Sequence, residues 1–324
     1  MKNIGVFTSG GDSPGMNACI RAVVRTSISM GFQVFGIRDG YEGMIDDDII
    51  AMDSKSVSNI MQLGGTILRT ARSERFMTAE GRKLAYGNLK KREIDALVAI
   101  GGNGTFTGAK IFMQEFPDIR IVGTPGTIDN DLYGTDFTIG FDTAVNTAMN
   151  AIDNIKDTAN AHNRLFFVEV MGRDAGFIAM RTGIATGAEA ILVPETPTDM
   201  QKLIDILDKR RKHNKSSSAI VVVAEGDEVG GAIEAAAEAK KALPGYDIRV
   251  TILGHIQRGG RPTCSDRVLA TRLGLEAVRA LADGKKGVML GIIHKDISYT
   301  PFEKAIKYNQ RINPLILEMV DILS

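Results

Sequence analysis

Short apolar runs separated by longer amphipathic stretches set the pattern of this chain. Runs at 4–7, 34–37, 94–100, 119–123, 165–170, 190–193, 219–224, 249–253 and 287–292 have the length and the β-branched content of buried strands. Between them apolar residues recur at helical spacing, which predicts helices near 16–30, 78–91, 105–115, 140–159, 175–187, 199–213, 231–242, 265–283 and 314–323. Regular alternation of the two argues an α/β fold, with mostly parallel sheets covered by helices, built twice over. In such sheets ligands bind at the carboxyl ends of strands. The unusual loops fall there: TSGGDSPGMN (8–17), GGNGT (101–105) and TPGTIDND (124–131) in the first half, then VEVMGRDAG (168–176), VAEGD (223–227) and LGHIQRGG (253–260). Glycine-rich turns of phosphate-binding type come first and polar loops second, which suggests two ligands meeting at a cleft between lobes.

Composition narrows the classes. The 324 residues are 44% hydrophobic and 24% charged, with 39 Lys+Arg against 39 Asp+Glu. A balanced charge argues against a basic nucleic-acid binder. Two cysteines, Cys19 and Cys264, make no disulfide framework, and no secretory leader is evident at MKNIGVF, so a cytoplasmic location is expected. No apolar run approaches the ~20 residues of a membrane span.

The loops carry the chemistry. A strand that stops at glycines before a helix presents free backbone N–H groups and a positive dipole end to an anion. TSGGDSPGMN is not a P-loop, because Met16-Asn17 stands where Lys and Ser or Thr would be needed. GGNGT is not a dinucleotide fingerprint, because it continues to Thr107; alone it reads almost as well as a plain tight turn. In TPGTIDND, Asp129 and Asp131 follow Thr124 and Thr127, a set that suits a base, a metal ligand and hydroxyl donors around one reacting oxygen. The plainer alternative is an Asx-rich turn that caps the helix near 140. Among the loop arginines Arg72, Arg164, Arg173, Arg249 and Arg258, the glycine-flanked Arg173 and Arg258 best suit bidentate phosphate contact. His255 is as fit for a ligand contact as for a structural role. Arg21 and Arg25, four apart, share one helix face, which by spacing alone reads as an ordinary charged surface.

Taken together, in order, TSGGDSPGMN, GGTILRTAR, IGGNGTFTGA, PGTIDND, IGFDTA, VEVMGR, VAEG and LGHIQRGG resemble the bacterial-type ATP-dependent 6-phosphofructokinase family over nearly the whole chain. The resemblance implies transfer of the γ-phosphoryl of Mg-ATP to the 1-hydroxyl of fructose 6-phosphate. On it, Asp129 matches the general base, Asp131 and Thr127 its supporting positions, and Arg72 the arginine at the transferring phosphate. Gly11, Arg72, Gly102, Gly104 and Thr105 match the ATP cradle, in which Ser73 and Asn103 also stand. Met171, Gly172, Arg173, Glu225, His255 and Arg258 match the sugar-phosphate site. Arg164 and Arg249 match arginines lent across a subunit interface, which implies a homotetramer. Arg21, Arg25 and Glu189 match a site for an ADP or phosphoenolpyruvate effector, in which Lys156 conservatively replaces an arginine. Gly104 and Gly126 are the ATP-type residues where pyrophosphate-dependent relatives carry Asp and Lys.

The departures are specific. Asn103 replaces a magnesium-binding aspartate, so a weakened metal site made with Asp129 is expected. Ser73 and Met77 depart on the adenine side. Ser54, Asn59, Asn214 and Ser216 depart around the effector site, which predicts blunted regulation. The expected fold is two Rossmann-like three-layer lobes: an ATP lobe of 1–140 plus 257–306, and a fructose 6-phosphate lobe of 141–256 plus 307–324. Two rivals remain beside the kinase. An NAD-kinase-like protein shares only the GGNGT-type turn. A paralogue impaired at Asn103 would serve as a sugar-phosphate or nucleotide sensor or a regulatory subunit.

Overall fold

The computed structural model describes residues 2–162, 164–213 and 218–323. In chain order the elements are β1 (Asn3–Ser9), α1 (Met16–Ser29), β2 (Gln33–Ile37), α2 (Gly40–Ile45), β3 (Ile49–Met52), α3 (Ala79–Lys91), β4 (Ile94–Gly101), α4 (Asn103–Glu115), β5 (Arg120–Pro125) and α5 (Phe141–His162). There follow β6 (Arg164–Val170), α6 (Phe177–Thr186), β7 (Ala190–Leu192), α7 (Met200–His213), β8 (Ala219–Ala224), α8 (Ala232–Ala242) and β9 (Asp247–Ile252). The chain then forms α9 (Cys264–Ala282), β10 (Val288–Ile293), β11 (Asp296–Pro301), α10 (Phe302–Lys307) and α11 (Pro314–Leu323). Short 3-10 turns occupy Arg75–Met77 and Gly254–Arg258. Two compact units result. One holds Met1–Ile128, Leu132–Thr143 and Arg258–Gln310; the other holds Asp129–Asp131, Ala144–Gln257 and Arg311–Ser324.

The first unit is built on a sheet of order β11-β10-β5-β4-β1-β2-β3. Its interior pairs are parallel, as the sequence pattern predicts, but β3 runs antiparallel to β2 and β11 antiparallel to β10. Both antiparallel strands sit at sheet edges: β11 (DISYTP) is half polar, and β3 (IIAM) is apolar but only four residues long. Alternation along β4 sends Ala96, Val98 and Ile100 into one core with α1 and α9, and Leu97 and Ala99 into another with α2, α3, α4 and α10. Strands buried on both faces thus make three layers. The second unit has a sheet of order β7-β8-β6-β9, all parallel. Leu165, Phe167, Val221 and Val223 pack there against α7 and α8, and α6 lies against β8.

Register positions the loops. In the first unit Ser9 pairs with Gly101 and Gly101 with Pro125, so β1, β4 and β5 end level at one sheet edge. The strand order changes direction between β1 and β4, the switch point where such sheets hold ligands. In the second unit Val170 pairs with Ala224 and Glu169 with Ile252, so β6, β8 and β9 also end together.

Helix starts are assigned by specific groups. Thr78 caps α3 and Thr263 caps α9 through their hydroxyls. The start of α5 is capped by Asp266, which accepts from Gly140 N (2.9 Å), Thr143 N (2.8 Å) and Thr143 Oγ1 (2.5 Å). Asp266 thus fills the capping role that the plainer reading of TPGTIDND gives to that loop.

Candidate functional site

In the first unit two helices begin at the level strand ends without a side-chain cap. Gly15 precedes α1 at φ 108°, and Gly102 precedes α4. Apart from Met16 N, which donates to Ser13 O (3.3 Å), their first N–H groups meet no capping side chain and suit an anion. The two loops are tied together: Thr105 Oγ1 donates to Ser9 O (3.0 Å), and Tyr41 Oη donates to Thr105 O (2.6 Å). Gly101 is required by this closeness, since a Cβ there would stand 2.3 Å from Thr105 Oγ1 and 2.5 Å from Ser9 O. The segment before Arg72 is fixed to the same edge by Thr8 Oγ1 to Arg69 O (2.7 Å) and Thr70 Oγ1 to Gly10 O (2.8 Å). Arg72 itself is exposed.

Asn103 is the first residue of α4, and its Oδ1 is buried with no hydrogen-bond partner. An unpartnered amide oxygen beside open N–H groups fits a cation carried in with a phosphate, as a neutral ligand. Among the described residues no group of three or more His, Cys, Asp or Glu is placed to hold a metal alone. Magnesium bound with a nucleotide needs only one or two protein oxygens, so Asn103 and a carboxylate suffice. Gly126 is enclosed, with a Cβ standing 2.9 Å from Met16 Cε and 3.0 Å from Ile100 Cγ2, whereas Gly104 faces open space.

Arg258, read from the sequence as a sugar-phosphate contact, belongs to the first unit. Its Nη1 donates to Asp12 O (3.3 Å), and a Cβ on Gly11 would lie 2.3 Å from that nitrogen. Ser73 has its hydroxyl engaged, donating to Glu42 and accepting from Phe76 N (3.1 Å). Arg21 is partly exposed and Arg25 exposed on α1; Ser54 and Asn59 are exposed.

The second unit holds the acidic pair. Asp129 is 2% exposed, and Arg173 Nε stands 3.5 Å from its Oδ2. Burial, and then the neighbouring charge of Asp129, holds the Asp131 carboxyl above the usual carboxylate range. Arg173 sits at φ 53° in the turn after β6, and its N–H donates to Glu225 Oε1 (2.8 Å). Gly226 lets the turn approach, because a Cβ there would be 1.9 Å from Arg173 O. Gly172 adopts φ 150°, and Met171 N donates to Gln257 Oε1 (3.3 Å). Met171, Gly172, Arg173, Glu225 and Gln257 therefore form one cluster with Asp129. His255 is exposed beside it in sequence.

Arg164 and Arg249 meet at Asp247: Arg164 Nε lies 2.7 Å from Oδ2 and Arg249 Nε 3.1 Å from Oδ1. Asp247 had no signal in the sequence; only the β6–β9 register brings it opposite Arg164. Glu189, raised by burial, pairs with Arg210 (2.7 Å), and Lys156 Nζ donates to the carbonyls of Thr186 and Gly187. Asn214 and Ser216 lie outside the described residues.

Comparison with known proteins gives the family of the chain. The phosphofructokinase family model matches residues 3–281. ATP-dependent 6-phosphofructokinase 2 of Bacteroides thetaiotaomicron is 55% identical over 323 residues, covering 100% of this chain and 98% of that protein. ATP-dependent 6-phosphofructokinase 1 of Thermus thermophilus is 54% identical over 324 residues, covering all of both chains. The phosphofructokinase structure from Saccharomyces cerevisiae shares 40% identity and a TM-score of 0.89 over 95% of this chain, which spans 45% of that longer one. The pyrophosphate-dependent enzyme from Marinobacter aquaeolei, at 24% identity and a TM-score of 0.85, shares the fold. The chain belongs to the phosphofructokinase family.

Proposed function

We propose that this protein is an ATP-dependent 6-phosphofructokinase, transferring the γ-phosphoryl of ATP to the 1-hydroxyl of fructose 6-phosphate to give fructose 1,6-bisphosphate and ADP. The observation that carries this is identity of 54–55% to proteins of that name along 98–100% of their lengths. Asp129 takes the hydroxyl proton at its carboxylate. Its burial keeps water from competing, and the Arg173 guanidinium stands 3.5 Å from it. Asp131 and Thr127 support that position. Gly11, Gly102, Gly104 and Thr105 cradle ATP through the uncapped helix starts, and Arg72 meets charge developing on the transferring group. Met171, Gly172, Arg173, Glu225, His255 and Arg258 receive the sugar phosphate. The enclosed Gly126 supports ATP over pyrophosphate as donor, since lysine there would require Met16 to move.

Asn103 and Asp129 are the residues we assign to magnesium, which when bound with ATP offsets charge on the phosphate oxygens. An amide ligand weakens that hold without abolishing it. We further assign the protein to the cytoplasm, where both phosphorylated substrates are retained. It works as a homotetramer in which Arg164 and Arg249 serve a neighbouring subunit. Control by ADP or phosphoenolpyruvate through Arg21, Arg25, Lys156 and Glu189 is blunted, because Glu189 and Lys156 already have partners within the chain.

The test is steady-state phosphorylation of fructose 6-phosphate with ATP, and with pyrophosphate, for the natural chain and Asp129→Asn. Turnover with ATP alone, and a kcat lowered by about 10²- to 10⁴-fold in the variant at little change in sugar KM, is expected. A natural chain that binds both substrates without turnover favours the impaired regulatory paralogue instead.

A further inference from the structure

We propose that Glu42 is a positioning residue for phosphoryl transfer, acting through Arg72. This rests on Arg72 being the arginine at the transferring phosphate. Arg72 lies in the long connection between β3 and α3, which has only a 3-10 turn of its own. A loop of that length places an arginine reproducibly only if its backbone is held on both sides.

The hold before Arg72 is Thr70 on Gly10 O. The hold after it converges on one carboxylate. Glu42 Oε2 accepts from Ser73 Oγ, and Glu42 Oε1 accepts from Arg75 Nη1 at 2.5 Å. Ser73 Oγ in turn accepts from Phe76 N, and Asp46 takes a second bond from Arg75 Nη1 at 2.8 Å. The end of the turn is clasped by Arg82, which donates to Phe76 O (3.0 Å) and Met77 O (2.7 Å). Among the described residues outside the loop, Glu42 is the one whose side chain bonds Ser73, the residue next to Arg72.

Glu42 cannot drift with the loop, because α2 has no slack. A Cβ on Gly40 would stand 2.7 Å from Thr8 O, and one on Gly43 would stand 1.8 Å from Arg38 O. The adjacent Tyr41 stacks on Phe76 at 3.9 Å between centroids and bonds Thr105 O at the start of α4. One short helix therefore sets the Arg72 loop against the turn that carries Asn103. The carboxylate is 25% exposed on its side chain, so its bonds are charge-assisted and partly shielded from water.

The experiment compares kcat and KM for ATP and fructose 6-phosphate in the natural chain, Glu42→Gln, Glu42→Ala, Arg72→Ala and the Glu42→Ala/Arg72→Ala double variant. Glu42→Ala is expected to lower kcat by about ten- to a hundredfold with sugar KM held within about twofold. Glu42→Gln, which still accepts from Ser73, should fall between. With Arg72 already removed, adding Glu42→Ala should change kcat by no more than about twofold, because the two act as one unit. Full loss persisting in the Arg72→Ala background, or natural kcat in Glu42→Ala, overturns the proposal. Hydrogen exchange in Glu42→Ala reads the same point without turnover: the Phe76 amide should exchange at least about tenfold faster, and unchanged protection counts against it. A natural chain inactive with ATP and fructose 6-phosphate refutes the kinase assignment itself. Activity in that chain with contrary variants refutes Glu42 alone.

Discussion

At position 103 an amide stands where a carboxylate would add one negative charge, and nothing else in the turn supplies that charge. Its Oδ1 is buried and unpartnered, so substitution by aspartate costs no existing hydrogen bond. Asn103→Asp should therefore lower the magnesium concentration for half-maximal velocity by several-fold to about tenfold, about 1.4 kcal/mol at most. Superimposable magnesium curves would contradict this. The residues of this site divide by how they reveal themselves. Asp129 and Arg173 stand in glycine-punctuated loops, and Thr105 in the first turn of α4, directly after apolar runs, where strand ends are legible. Glu42 and Asp247 act on partners 31 and 83 positions away, and no local pattern announces either.

At the scale of elements, Asp266 governs the start of α5. Burial pushes its carboxyl up to about 6, against the pull of three donors from Gly140 and Thr143. The folded chain thus holds this proton more tightly than the unfolded chain. Stability from it is complete below about pH 4 and is lost as pH rises to about 6, on the order of 3 kcal/mol in all. The unfolding free energy of the natural chain minus that of Asp266→Asn should fall across this window and stay level above about pH 7. Parallel profiles for the two proteins would dismiss burial as the cause. Asp266 lies 123 residues from Thr143, so its cap is invisible in sequence, whereas the local Thr78 and Thr263 caps follow simple spacing. For the same reason the central strands were readable and α2, β3, β11 and α10 were not. The former are continuous Val, Ile and Ala runs buried on both faces. The latter are short, edge-placed or glycine-broken, and owe their form to what they pack on.

At the scale of the whole molecule, β9 is the edge of its sheet. It exposes Val250 (39%) and Ile252 (50%) beside Arg249. An exposed edge with apolar side chains is a surface that association would bury. If the homotetramer forms there, sedimentation of the natural chain should give four times 34.9 kDa, and Ile252→Asp should shift it to smaller species while raising sugar KM. A tetramer undisturbed by Ile252→Asp would move the interface elsewhere. The interleaving of the two units has its own consequence during synthesis. The core that α1 and β4 share with α9 lacks Ala270, Leu273, Ala277, Val278 and Leu281 until the last fifth of the chain is made. The residues of the second unit's buried core, Leu165 to Tyr246, leave the ribosome before them, so that core is the first able to form, although the unit's last segment, Arg311–Ser324, follows at the very end. Until α9 is made the apolar faces of α1 and β4 wait in the nascent chain, and a stall in translation after Gln257 would leave them uncovered for chaperones or proteases to find.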